Sequence, residues 1–153
     1  MGSNLMLKKI VLLSLCISFY GCSAMVNSYN KSNIASNELA RITGTETDKV
    51  IAGFSNTVFS RIAWAYNKDG EKVIDKGWSN TWGLTEVTLE PGFYVFILYC
   101  GRGDIYAMPH IRTFIEPSKE YMVTCELGGN TPELKGKMRG HIHEIPSTSN
   151  EIL

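Results

Sequence analysis

The side chains able to do chemistry here are three histidines, four cysteines and two tryptophans in one polar stretch. His141 and His143 stand two apart in an alternating segment, so their rings share one strand face with Lys137 and Arg139, while Met138 and Ile142 take the other. Two cations beside the imidazoles repel a metal ion and lower their basicity. A site also needs three or four convergent ligands, and His110, beside Pro109, is remote in sequence. The reading is solvated histidines and no metal. Trp78 and Trp82 sit among Ser79, Asn80, Thr81 and Gly83. They are the candidate binding residues: either an exposed recognition patch, since tryptophan is enriched at binding hot spots, or plugs at the end of a β-domain, since large aromatics usually bury. No Gly-x-Ser-x-Gly elbow, His-Glu-x-x-His helix or phosphate loop occurs, so no catalytic residue and no cofactor is assigned, and the chain reads as non-enzymatic.

The elements that position these residues belong to one domain. Of 153 residues, little more than a hundred remain once the amino-terminal segment is set aside, enough to bury about two-thirds of the unfolded surface. A hydrophobic fraction of 44% can build a core. Lys plus Arg and Asp plus Glu balance at 15 each, leaving no global field to gather nucleic acid.

Lys8 and Lys9 precede an apolar run from Ile10 to Tyr20, which leads into Gly21-Cys22-Ser23. A basic start, a short apolar stretch and a small residue before a cut make an export signal; the run falls short of the ~20 apolar residues that span a bilayer. Phe19-Tyr20-Gly21-Cys22 resembles the lipobox of bacterial lipoproteins, with Gly21 and Cys22 matching and Phe19 and Tyr20 departing from the usual leucine and small residue. The resemblance implies cleavage between Gly21 and Cys22 and diacylglyceryl modification of Cys22, with two or three acyl chains holding the protein at a membrane. Ser23 after the cysteine, by similarity to enterobacterial sorting, implies the outer membrane, facing the periplasm or the surface. Residues 1–21 are thus the expected signal, in helical form, and 22–37, rich in Ser and Asn, a disordered tether. A β-domain over 38–146 and a disordered tail over 147–153 complete the expected organisation.

With Cys16 lost in the signal and Cys22 lipidated, Cys100 and Cys125 remain. In an exported domain such a pair predicts a disulfide; two unconnected buried thiols are the alternative. Neither has a Cys-x-x-Cys partner, which argues against zinc or thioredoxin-like chemistry.

From Leu39 onward the period is two. Expected strands are Leu39–Thr45, Val58–Tyr66, Glu71–Asp75, Thr85–Glu90, Phe93–Tyr99, Ile111–Ile115, Tyr121–Leu127 and Lys137–Ile145. In the second, Val58, Ser60, Ile62, Trp64 and Tyr66 share one face and Phe59, Arg61, Ala63 and Ala65 the other. Asn67-Lys68-Asp69-Gly70 and Pro91-Gly92 supply turn chemistry. The expectation is an all-β fold: a small antiparallel sandwich of seven or eight strands.

Leu89-Glu90-Pro91-Gly92-Phe93-Tyr94-Val95 resembles a hairpin of PEGA-type and other small β-sandwich modules of bacterial surface proteins, with Ser118-Lys119-Glu120-Tyr121 a looser echo. That resemblance supports the fold and implies no ligand. Arg102-Gly103-Asp104 is similar to integrin ligands, but its residues are ordinary turn formers. The functional expectation is a cell-envelope lipoprotein, bound to the membrane by its lipid, whose β-domain serves structural, assembly or protein-binding roles toward an envelope protein or the cell wall. The alternative is a lipid-anchored inhibitor of a wall hydrolase.

Overall fold

The computed structural model describes residues 25–51, 54–78, 80, 82–102, 105–127 and 138–146. The signal, Gly21, Cys22 and the tail over 147–153 lie outside the described residues. Ten strands run in chain order: β1 (Ser28–Tyr29), β2 (Ala40–Ile51), β3 (Phe54–Asn67), β4 (Lys72–Asp75), β5 (Glu86–Leu89), β6 (Gly92–Arg102), β7 (Ile105–Ala107), β8 (His110–Ile115), β9 (Glu120–Leu127) and β10 (Met138–Glu144). The all-β fold follows the sequence pattern, and a 3₁₀ turn at Ser36–Glu38 is the only helical piece among the described residues.

The strands form one continuous sheet, open at its edges, that β2 folds into two leaves. Ala40–Gly44 lies in the first leaf between β5 and β9, and Thr45–Ile51 continues in the second leaf beside β3. The first leaf runs β1-β5-β2-β9-β10. In the second, β3 and β6 pair centrally, β4 extends the β3 edge, and β7 and β8 share the far edge of β6. Most pairings are antiparallel, but β1 with β5 and β2 with β9 are parallel, so the sheet is mixed. Alternation of apolar residues fixes which face is buried and carries no sign of strand direction, which is why the sequence pattern suggested antiparallel pairing throughout.

Between the leaves lie Ile42, Val87, Leu89 and Val123 from the first and Ile62, Phe96, Leu98 and Ile115 from the second, all fully buried. Each such side chain contributes about 1.5–3 kcal/mol of apolar transfer. Cys100 of β6 and Cys125 of β9 are joined in a disulfide that ties leaf to leaf. Closing a loop of 25 residues stabilises the fold by about 3 kcal/mol in the chain-entropy picture. The leaves approach closely beside it, for a Cβ on Gly140 would come within 2.7 Å of Leu98 Cδ1.

Three local features depart from simple alternation. The β3–β6 register shifts between Ile62 and Trp64, a bulge at Ala63 that turns the following residues over. Val58, Ser60 and Ile62 share one face as expected, and it is the core face, but Ala65 replaces Trp64 there. Pro91-Gly92 does not close a hairpin: β5 and β6 lie in different leaves, and the turn is an arch between them. Leu89 and Tyr94 both point into the core across it, and the Tyr94 hydroxyl donates to the Glu90 carbonyl at 2.8 Å. Finally, the polar segment expected as a tether is held from Val26 onward. Ser28–Tyr29 pairs with β5, Val26 bridges Asp75, and the Ser32 N–H donates to the Glu90 carboxylate at 2.8 Å. Composition alone hides this, because short parallel pairing uses backbone groups that every residue carries.

The corner in β2 requires a residue without a side chain. A Cβ on Gly44 would stand 2.3 Å from the Ser60 carbonyl oxygen, a backbone atom of the adjacent strand. Gly70, by contrast, holds φ +78° in the β3–β4 turn with open space around it. In urea unfolding, Gly44→Ala is expected to cost about 3 kcal/mol, because backbone must shift, and Gly70→Ala about 1 kcal/mol for its left-handed conformation. Equal losses would show that the corner tolerates a methyl group.

Candidate functional site

Two cross-strand rows on the outer face of the second leaf place aromatic side chains together. Phe59, Gly101 and Tyr106 are register partners across β3, β6 and β7, and Arg61 pairs with Tyr99 in the next row. Residues directly opposite share a face, so the rings converge outside the core. Gly101 provides the notch: a Cβ there would meet the Tyr99 ring at 2.7 Å, so the glycine lets that ring fold down over the sheet. Tyr99 is consequently only 9% exposed, and burial, with the neighbouring Tyr106, pushes its phenol up in pKa.

The connection between β4 and β5 brings Trp82 onto this floor. Leu84 and Ile62 exchange backbone hydrogen bonds at 2.7 and 3.0 Å, filling the edge of β3 between β2 and β4. Gly83 makes the approach possible, with φ +90° and a Cβ position 2.9 Å from Arg61 Cβ. Asn80 braces the turn, its amide donating to the Gly83 carbonyl at 2.8 Å and its side-chain oxygen accepting from the Trp82 N–H at 3.2 Å. Trp82 then stands edge-on to Tyr99 with centroids 5.8 Å apart and lies 6.1 Å from Phe59. Tyr106 stacks on Tyr99 at 5.9 Å. Beneath them, the Arg61 guanidinium lies 5.9 Å from the Phe59 centroid and pairs with the Glu46 carboxylate. Burial lowers the Arg61 pKa, but a guanidinium stays charged at any physiological pH.

The result is a cluster whose floor is fixed and whose rims project. Trp82 is 54% and Tyr106 66% exposed, although both are in ring contact. Rigid aromatic faces with one buried cation are suited to packing against apolar, aromatic or ring-shaped groups of a partner. Of the tryptophans singled out in sequence, Trp82 joins this cluster. Trp78 stands apart from it, 87% exposed. Neither plugs the end of the sandwich. Phe59, Tyr99 and Tyr106 escaped the sequence reading because three different strands supply them; outward alternation of Phe59 with Arg61, and a tyrosine two residues from Gly101, are the signals they leave.

No family model, curated protein or solved structure matches the chain. His141 and His143 stack at 5.6 Å on β10, and His143 meets the Thr124 hydroxyl at 3.1 Å. His110 lies on β8 opposite Ile97. No group of three or more potential metal ligands converges among the described residues. Arg102 ends β6, while Gly103 and Asp104 lie outside the described residues. A cleft of about 210 Å³ beside Tyr29, Lys68 and Glu90 is smaller than the ~300 Å³ at which ligand pockets begin, and a larger one of about 550 Å³ beside Ser32, Glu38, Pro91 and Ser118 is a wide-open surface groove without an enclosing wall. Lys68 of the smaller cleft is paired with Asp69 at 2.8 Å.

Asp75 fixes the other end of the connection that carries both exposed tryptophans. Its carboxylate accepts from Trp64 Nε1 at 3.0 Å, the Gly77 N–H at 2.9 Å and Lys72 Nζ at 2.9 Å. Burial alone would raise its pKa, but the bonds from Lys72, Gly77 and Trp64 outweigh that and hold it below the usual carboxylate range. A depressed folded value means the stabilisation is complete above the unfolded pKa of about 4 and is lost as pH falls through the folded value. Asp75→Asn is therefore expected to be less stable than the parent at pH 7, with the gap narrowing as pH falls through the depressed folded value. Urea midpoints at pH 7 and across the acid range test this; a gap of constant size would remove the charge from the explanation.

Proposed function

We propose that the chain is a cell-envelope lipoprotein, anchored through acyl chains on Cys22, whose β-domain has a structural or assembly role and binds another envelope component through the Phe59–Trp82–Tyr99–Tyr106 cluster. The observation that carries the binding role is the exposure of Trp82 and Tyr106 on a floor the fold holds rigid. Projecting apolar rings cost free energy in water, and tryptophan and tyrosine with a nearby arginine make up the usual anchors of protein interfaces. The anchoring role is supported by Lys8, Lys9, the apolar run and Gly21-Cys22, and by a disulfide suited to an oxidising compartment. The reading is non-enzymatic, a surface for holding a partner, with recognition as its chemistry. The partner is taken to be a protein, since a flat cluster of this kind lacks the enclosure a small molecule needs.

Changing Cys22 to Ala in the full chain is expected to move the protein from the membrane to the soluble envelope fraction, with its thermal transition intact; continued sedimentation with membranes would rule out the lipid anchor. Independently, the double change Trp82→Ala, Tyr106→Ala is expected to weaken association with the native partner, read by in-cell photocrosslinking, by about ten-fold or more. Undiminished crosslinking in a variant that melts normally would place the interface elsewhere.

A further inference from the structure

We propose that Trp78, with Met25 and Val26, forms a membrane-contact edge that seats the β-domain against the lipid headgroups of the bilayer holding its anchor. This rests on the lipid-anchor reading of Cys22 and adds what that reading leaves open, namely which side of the domain meets the lipid.

Covalent reach sets the geometry. Val26 is fixed to the fold, its N–H donating to the Asp75 carbonyl at 2.8 Å and its carbonyl accepting from the Asp75 N–H at 2.9 Å. Only Ser23, Ala24 and Met25 separate it from Cys22. Four residue steps span at most about 14 Å, and the headgroup zone of one leaflet is some 5–7 Å deep. A diacylated Cys22 therefore leaves no long tether, and the Val26 end of the domain is held at the surface.

Direction follows from the pairing. The Val26–Asp75 bridge is antiparallel, so the chain leading back from Val26 to Met25 leaves the bridge the same way as the chain leading forward from Asp75 to Lys76. Trp78 follows three residues after Asp75, within about 11 Å of the bridge. Met25, Val26 and Trp78, large apolar side chains on the bridge or within three residues of it, are 55%, 41% and 87% exposed. Trp78 is aimed outward by its surroundings. Gly77 holds φ +71° with its N–H on the Asp75 carboxylate, and Lys76 Nζ donates to the Asn80 carbonyl at 2.6 Å.

Tryptophan concentrates at membrane–water interfaces, where its ring is apolar and its N–H finds a polar partner. Inserting one side chain is too weak to hold a free protein, but beside a covalent anchor it becomes an intramolecular step at high effective concentration. The anchor supplies attachment and Trp78 supplies orientation.

The test uses the full acylated protein reconstituted into phosphatidylethanolamine–phosphatidylglycerol vesicles containing lipids brominated high in the acyl chain, with acylation verified by mass. Trp78 is one of three tryptophans, and the exposed site allows Trp78→Phe to fold, as circular dichroism would verify. Bromine quenching of tryptophan emission is expected to be roughly two-fold greater in the parent than in Trp78→Phe, because Trp64 is partly buried on the Asp75 carboxylate and Trp82 is packed on Phe59 and Tyr99, leaving Trp78 the tryptophan most open to lipid. Equal fractional quenching in two acylated, vesicle-bound proteins would overturn the membrane edge and leave the anchor standing. A membrane-extracted native protein whose mass shows no acyl group on Cys22 would overturn both.

Discussion

A missing side chain at Gly44 lets one strand serve two leaves. Up to that residue β2 is hydrogen-bonded between β5 and β9; one residue later it is paired with β3. The switch brings the backbone so near the Ser60 carbonyl that a methyl group cannot fit. It is locked from both sides: the Gly44 N–H donates to the Thr85 carbonyl at 2.7 Å, and the Thr45 hydroxyl donates to the Val123 carbonyl at 2.7 Å. Because β2 is continuous through the corner, the registers of the two leaves are coupled. The facing of Ile42 against Ile62 and the meeting of Cys100 with Cys125 both depend on it. The disulfide secures an arrangement that the corner has already set.

How much of this could be read in the residues depends on whether a feature is local. Alternation in Glu86–Leu89 announced a strand to within one residue at each end, and the apolar run in Gly92–Arg102 to within one residue at its start and three at its finish, since burial of one or both faces leaves a periodic trace. The Asn67–Gly70 turn was legible for the same reason, being a property of four consecutive residues. Parallel pairing of β2 with β9 left no trace, because it joins segments some eighty positions apart through backbone groups. The bulge at Ala63 was invisible too. An alanine on either face satisfies the pattern, and only the partner strand shows that one residue is surplus. Pro91-Gly92 illustrates a subtler limit: the turn chemistry was right, but whether a turn closes a hairpin or arches between leaves depends on where the flanking strands find partners.

The aromatic site divides along the same line. Trp78 and Trp82 stood out in sequence because large apolar residues in a polar stretch are anomalous, and both prove exposed. Their division of labour was hidden. Trp82 acquires its setting from Phe59, Tyr99 and Tyr106, which reach it through cross-strand rows, and from Gly83 and Gly101, which create room for rings rather than contribute atoms. The conformational freedom and small volume of those glycines say that something approaches closely; the sequence does not say what.

Both exposed tryptophans hang from one connection, and that connection is fastened at its two ends by backbone pairing: Asp75 with Val26 at one, Leu84 with Ile62 at the other. Between those points Asn80 and Lys76 supply cross-links through the Gly83 and Asn80 carbonyls. Such fastenings lower the ordering entropy lost when the exposed rings are covered. In the proposed setting this has a definite consequence. Trp78 and Trp82 stand four residues apart, so an orientation imposed on Trp78 would constrain the attitude of the cluster around Trp82. A partner would then meet the aromatic rims at a fixed attitude to the bilayer, which a short tether provides and a long flexible one would forfeit.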